Sequence, residues 1–147
     1  MSDRPVIVSA CLLGIRSRYD GTDSLREELV SELRGTHVIP VCPEQLGGLP
    51  TPRPAAEITG GDGTDVLDGK ARVVDEHGSD VTGAFVKGAE EVLKLTKLTG
   101  AKTAILKEKS PSCGVSVICG GGGVEARGAG VTTALLKKNG VDVRGVG

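Results

Sequence analysis

Three largely apolar runs in this chain each end shortly before a cysteine, and no other feature restricts the fold as strongly. The runs and their cysteines are 6–8 with Cys11, 38–41 with Cys42, and 104–106 with Cys113. Short unbroken apolar runs are typical of strands buried in a parallel sheet. Open α/β sheets build their sites at the carboxyl ends of such strands, so the three thiols could converge there. The pattern therefore predicts a thiolate-bound metal centre.

Signals for helices alternate with these runs. Leucines spaced four residues apart predict an amphipathic helix that begins at Thr22 or Asp23 and ends at Gly35. Periodic apolar residues closed by a glycine predict two more helices, over 80–100 and over 131–139. The chain therefore reads as alternating strands and helices.

The remaining segments complete the predicted order. Segment 42–63 is rich in Gly and Pro without a period, which predicts a long loop of the kind that often carries function. Residues 66–74 predict a hairpin that turns at Asp68-Gly69, and 141–143 predict a final strand. This order predicts a three-layer, Rossmann-like α/β fold with a mainly parallel sheet and a small β-hairpin insertion. At this length we expect a single domain over 1–147.

Composition and charge exclude several classes of function. The net charge is -1 with acids and bases interspersed, so the chain has no basic footprint for duplex nucleic acid and no polybasic membrane patch. One Tyr and one Phe cannot form a row of rings on which a nucleic-acid strand stacks. Residues 1–5 contain no apolar signal-peptide core, so we expect a cytoplasmic protein. Reducing conditions there favour metal binding, catalysis or burial over disulfides for the four cysteines.

Polar residues close to the cysteines are candidates for chemistry. Glu44 follows Cys42 by two residues, and it could act as a general acid or base if burial raised its pKa. The alternative is a solvated loop carboxylate. Ser110 and Ser112 lie just before Cys113, which predicts a hydroxyl group near the metal. The alternative for these serines is an ordinary turn, in which the hydroxyl bonds to its own backbone.

The fourth cysteine differs from the other three. Cys119 enters a run of four glycines at 120–123, predicted to form turns, and its spacing matches no strand end. This indicates a structural or incidental residue. Three cysteines without a fourth leave one coordination position open, and sites with an open position bind substrate. The alternative for all of them is burial as small hydrophobic side chains.

Five motifs in this order resemble those of the thiouracil desulfidase family, a bacterial family long described only as a domain of unknown function. They are 9–14 (Ser-Ala-Cys-Leu-Leu-Gly), 18–21 (Arg-Tyr-Asp-Gly), 42–44 (Cys-Pro-Glu), 47–53 and 106–114. The resemblance implies a 4Fe-4S cluster held by Cys11, Cys42 and Cys113, whose fourth iron takes the sulfur of a thiolated uracil. It also implies catalytic roles for Glu44 and Ser110.

The implied reaction converts 2- or 4-thiouracil and water to uracil and hydrogen sulfide without net electron transfer. Glu44 would deprotonate the attacking water, and Ser110 would position the water or relay a proton. Asp20, Arg53 and Ser112 are predicted to orient the small thiolated pyrimidine. A turn-forming role for Asp20 in Tyr-Asp-Gly, and a structural role for Arg53, are equally compatible with the sequence.

The residues remain compatible with other classes of protein. Cys119 could complete a four-cysteine iron-sulfur or zinc module without catalysis. Cys113 could instead be a metal-free nucleophile that forms a persulfide. The pocket could also serve binding alone. The chain departs from the family pattern after Cys113, where Cys119 and four glycines replace an aromatic-containing stretch.

Overall fold

The centre of the protein is a four-stranded parallel sheet. The computed structural model describes residues 4–119 and 124–147. In spatial order the strands are β2 (Val38–Val41), β1 (Val6–Ser9), β5 (Thr103–Lys107) and β8 (Asp142–Val146). In β1, Val6 lies opposite Val38 on one side and opposite Thr103 on the other, and all neighbouring pairs are parallel. The parallel sheet predicted from the apolar runs is confirmed.

Helices cover both faces of this sheet. They are α1 (Glu27–Glu32), α2 (Pro43–Leu46), α3 (Gly63–Leu67), α4 (Thr82–Thr99) and α5 (Val131–Lys138), with a 3-10 turn at Ala10–Leu13. On one face Ile7 lies in a hydrophobic cluster with Val92 of α4 and Leu136 of α5. On the other face Val8 lies in a cluster with Leu29 of α1. Successive strand residues point to opposite faces, so the three-layer Rossmann-like arrangement follows from the unbroken apolar strands.

The long helix α4 lies where its period predicts. Its buried residues share one face and include Phe85, Ala89, Val92 and Thr96. Gly100 ends the helix at φ 75°, a left-handed conformation that favours glycine. Within residues 4–119 and 124–147, no helix is long and apolar enough to cross a membrane.

The predicted hairpin over 66–74 is wrong in its first strand, because Val66 and Leu67 belong to helix α3. The Asp62 carboxylate accepts two backbone N–H groups of α3, and the Asp65 carboxylate accepts the N–H of Asp62. This reciprocal capping box favours a helical turn over a strand. The antiparallel pair is instead β3 (Ala56–Thr59) with β4 (Arg72–Asp75). The small hairpin insertion is present, but its first strand lies earlier in the chain.

Other boundaries also differ from the prediction. Helix α1 begins at Glu27, because the Asp23 carboxylate accepts the N–H of Leu25 and forms a turn there. Segment 42–63, predicted as a loop, contains α2 and β3. The last strand extends to Val146, beyond the predicted 141–143.

A second small antiparallel pair has no counterpart in the sequence-based prediction. It joins β6 (Val117–Cys119) to β7 (Glu125–Arg127). Strand β7 is exposed along its whole length, so it lacks the apolar signal of a buried strand. The turns predicted at 120–123 lie outside the described residues.

Helix α2 packs against α4 at a close approach of two backbones. Gly47 follows α2, and Gly88 lies within α4. A Cβ atom on Gly88 would collide with the carbonyl oxygen of Pro43, and one on Gly47 would collide with that of Ala84. Glycine is required at such an approach because it has no side chain. The contact sets the position of α2 at the carboxyl end of β2.

Candidate functional site

One cavity opens at the carboxyl ends of β1, β2 and β5. It has a volume of about 550 Å³. Of the residues predicted from the sequence, those that line it are Cys11, Cys42, Glu44, Arg53, Ser110, Ser112 and Cys113. The structure therefore brings together side chains that are up to about a hundred residues apart, at the sheet edge where α/β folds build their sites.

The three strand-end cysteines line the cavity together at this edge, Cys113 buried and Cys11 and Cys42 partly buried. Cys11 lies in the 3-10 turn after β1, Cys42 precedes α2, and Cys113 lies in the loop after β5. Burial raises the pKa of all three thiols, that of Cys113 to about 12. The charge of Cys42 also raises the pKa of Cys11, and both raise that of Cys113, so the sulfurs interact. A positively charged metal centre would offset this cost and hold all three as thiolates.

Polar groups of the protein lie against the sulfur atoms. Arg53 Nη2 lies 3.7 Å from Cys42 Sγ, and Ser112 Oγ lies 3.7 Å from Cys113 Sγ. The guanidinium donates toward the Cys42 sulfur, and donors of this kind stabilise metal-bound thiolates and tune clusters. Three thiols that line one cavity, with a guanidinium and a hydroxyl group beside them, therefore fit an iron-sulfur cluster.

Cys119 also lines the cavity, from the end of β6. In the part of the chain that the structure describes, no group of three or more His, Cys, Asp or Glu residues could hold a metal ion. A single zinc ion draws thiolate ligands to about 2.3 Å from one point. The cysteines of a cluster bind different iron atoms and lie farther apart. A cluster therefore places looser demands on the spacing of its cysteine ligands than a single ion does.

Glu44 is held by two partners on different segments. Arg53 Nε donates to Glu44 Oε1 at 2.9 Å, and Ser112 Oγ donates to Glu44 Oε2 at 2.9 Å. The two charged side chains are well buried, with 4% of Arg53 and 13% of Glu44 exposed. A buried carboxylate paired in this way has a fixed orientation toward the cavity. Glu44 is therefore not a solvated loop residue.

Ser110 and Ser112 continue this network. Their hydroxyl oxygens lie 2.9 Å apart, and Ser110 Oγ also accepts the N–H groups of Ser112 and Cys113 at 3.1 Å each. Because the single hydroxyl proton of Ser112 is donated to Glu44, we assign Ser110 as the donor to Ser112. The hydrogen bonds therefore run in one direction, from Ser110 through Ser112 to Glu44.

Arg53 is fully engaged by the protein. Besides Glu44 and the Cys42 sulfur, its guanidinium donates to the carbonyl oxygens of Ser17 and Pro50 and to Thr51 Oγ1. Every guanidinium nitrogen thus has a protein acceptor. These hydrogen bonds fix the Arg53 side chain, and through it they position Glu44 and the Cys42 sulfur.

Asp20 lies in a turn rather than in the cavity wall. Its carboxylate accepts the backbone N–H and the hydroxyl group of Thr22, which lower the pKa of Asp20. This is the turn-forming alternative for Tyr-Asp-Gly. Its position gives no support to the substrate-orienting role predicted for it.

Several cavity residues were not selected from the sequence as site residues, among them Arg18, Tyr19 and Lys107. Lys107 is the last residue of β5, and its charge lowers the pKa of Cys11. Burial, and then the charge of Arg26, lower the pKa of Lys107 itself. The end of the third apolar run could have indicated Lys107, and the Arg-Tyr-Asp-Gly motif could have indicated the other two.

Comparison with known proteins identifies similar chains. A family model described as 2-thiouracil desulfurase matches residues 6–145. A Bacillus subtilis (strain 168) protein called YbbK is 44% identical over 140 residues, which is 94% of this chain and 93% of that protein. A solved structure of TudS, described as a 4Fe-4S-dependent thiouracil desulfidase, is 43% identical. It superposes with a TM-score of 0.84 over 97% of this chain and 90% of TudS.

Proposed function

Because the chain belongs to the 2-thiouracil desulfurase family, we propose that it hydrolyses a thiolated uracil to uracil and hydrogen sulfide with the aid of a 4Fe-4S cluster. The observation that carries the proposal is the single cavity in which three thiols meet a buried, paired carboxylate. A small planar pyrimidine suits a cavity of about 550 Å³. The reaction exchanges C=S for C=O with water, so atoms balance without an oxidant or reductant.

Cys11, Cys42 and Cys113 would hold the cluster. Burial disfavours free thiolates at these positions, so a bound cationic centre would offset that cost, and the Arg53 guanidinium favours the Cys42 thiolate. When bound, such a cluster supplies an iron without a protein ligand that acts as a Lewis acid on the thione sulfur. Lys107 adds a positive charge that favours the Cys11 thiolate.

Glu44 is the general base of the proposal. Arg53 and Ser112 each orient one oxygen of its carboxylate, Oε1 and Oε2 respectively. The carboxylate takes a proton from the water that attacks the ring carbon. The sulfide leaves with two protons in all, as hydrogen sulfide.

Ser110 and Ser112 connect Glu44 to the cavity through hydrogen bonds. Ser110 lines the cavity, and its hydroxyl group is joined to Glu44 through Ser112. The proton of the attacking water can reach Glu44 along this chain, which reverses the direction of its hydrogen bonds, and it can then return the same way to the leaving sulfur, with each hydroxyl group accepting one proton and donating another. Ser110 is therefore the residue that meets the substrate or water, and Ser112 connects it to the base.

The metal-free alternative has less support. A persulfide-forming cysteine is activated by a lowered pKa, in an electropositive and partly exposed setting. Burial instead raises the pKa of Cys113 to about 12. A thiol of this kind is a poor nucleophile and a good ligand for a centre that displaces its proton.

Anaerobic cluster reconstitution followed by a sulfide-release assay tests the proposal. We expect four irons and four sulfides per chain, and release of sulfide and uracil from thiolated pyrimidines. Glu44→Gln should retain the cluster and lose turnover by a factor of about 100 or more. Absence of sulfide release from the loaded wild-type protein would reject the proposal, and full turnover by Glu44→Gln would reject the base assignment.

A further inference from the structure

One aromatic ring lies in the wall of the cavity and has no role in the chemistry described above. The chain has one Tyr, one Phe and no Trp. Phe85 is buried in the core with 1% of its surface exposed, whereas Tyr19 lines the cavity and is 41% exposed. Of these three residue types, Tyr19 is therefore the one whose ring a ligand in the cavity can reach.

Tyr19 is not part of a hydrophobic core. The clusters formed by the described residues contain Phe85 but not Tyr19. The guanidinium of Arg18 lies over the ring, 5.8 Å from its centroid. The ring is half-exposed and lies outside the hydrophobic clusters of the described residues, so its face can receive another planar group.

The backbone around Tyr19 is rigid. The N–H of Arg18 donates to the carbonyl of Thr22, and the N–H of Gly21 donates back to the carbonyl of Arg18. The carbonyl of Tyr19 accepts the N–H of Arg53 at 2.7 Å. Since the Arg53 side chain also bonds to Glu44, one residue connects the ring to the base. The ring is therefore presented from a hydrogen-bonded turn that is tied to the catalytic network.

We propose that Tyr19 is the stacking platform for the pyrimidine ring and fixes the plane in which the substrate lies. This inference rests on the proposed function and adds a substrate-binding residue to it. Every pyrimidine has a π-face, so a tyrosine ring binds the base irrespective of which carbon bears sulfur. Holding the ring plane matters for the reaction, because water attacks the ring carbon from above or below that plane.

The test uses the cluster-loaded protein and three variants, Tyr19→Phe, Tyr19→Leu and Tyr19→Ala. We expect Tyr19→Phe to retain the wild-type KM, since the π-face is kept. The two truncations should raise KM for a thiolated uracil by about 10- to 100-fold, with a smaller change in kcat and an unchanged iron content. Leu98→Ala, which removes an exposed apolar side chain far along α4, is the matched control and should change neither constant.

Binding of uracil supplies a second readout that does not depend on turnover. Calorimetry should show that both truncations weaken binding of uracil by the same factor as they raise KM. The chain has one Tyr and no Trp, so quenching of tyrosine emission by uracil, corrected with free tyrosine, reports Tyr19 directly.

The outcomes separate this inference from the proposed function. Wild-type turnover with unchanged KM and uracil affinity in both truncations would overturn the stacking role and leave the desulfidase in place. A wild-type protein that binds uracil through Tyr19 without releasing sulfide would support the platform and reject the desulfidase. Absence of uracil binding to the wild type would overturn the platform.

Discussion

Ser112 Oγ donates a hydrogen bond to Glu44 Oε2 at 2.9 Å, although 68 residues separate the two in sequence. The bond joins helix α2 to the loop after β5, and a cysteine of the cavity lies close in sequence to each of the two residues. The residue beside one thiol therefore orients the carboxylate beside another. Loss of this bond should therefore disturb the orientation of Glu44 more than the positions of the cysteine ligands.

The first prediction concerns the hydroxyl chain. We expect Ser112→Ala to lower kcat by about 100-fold, because Glu44 loses its connection to Ser110. Ser112→Thr keeps the hydroxyl group and should recover most of kcat and the wild-type solvent isotope effect. Ser116→Ala, an exposed serine farther along the same loop, is the control. A wild-type kcat in Ser112→Ala would remove Ser112 from the mechanism.

The second prediction concerns the buried ion pair. Arg53→Ala leaves the Glu44 carboxylate without its guanidinium, and we expect the free energy of unfolding to fall by about 3–5 kcal/mol. The double variant with Glu44→Gln should be more stable than Arg53→Ala alone, since no charge is then left unpaired. Denaturant unfolding of the four proteins in this cycle gives the coupling. Additive effects would show that the pair does not act as a unit.

The third prediction concerns the cluster ligands. Substitution of Cys11, Cys42 or Cys113 by Ser should abolish stoichiometric iron and sulfide after reconstitution, because one iron loses its thiolate. Cys119→Ser should retain both. Iron and sulfide analysis, together with the visible absorbance of the cluster, provides the measurement. Loss of the cluster in Cys119→Ser would instead support a four-cysteine module in which Cys119 is a ligand.

The fourth prediction concerns the helix contact that positions α2. Gly88→Ala should lower the free energy of unfolding by about 1–3 kcal/mol, because its Cβ collides with the backbone of Pro43. Gly83→Ala is in the same helix with open space around it, and there alanine should stabilise by about 0.5 kcal/mol. Thermal unfolding of both variants and the wild type measures the two changes in stability. Equal effects of the two substitutions would show that the close approach is not stabilising.

Local pattern was sufficient for some elements and misleading for others. The period of α4 and its closing Gly100 are local features, and the structure confirms both. The hairpin over 66–74 failed because an Asp-Gly turn and alternating apolar residues are compatible with two structures. The capping box of Asp62 and Asp65 stabilises the helical one. Helix α3 lies between β3 and β4 in the sequence, so the pairing of these two strands depends on tertiary packing.

The sequence by itself determined the parallel sheet and the edge at which the thiols lie. Buried strands require unbroken apolar runs, and the cysteines that follow them must lie at the carboxyl ends. Only the tertiary structure decided that Ser112 bonds to Glu44, that Arg53 is enclosed by protein acceptors, and that Tyr19 faces the cavity. These contacts join segments that are distant in sequence, and their geometry depends on how the segments pack rather than on any local period.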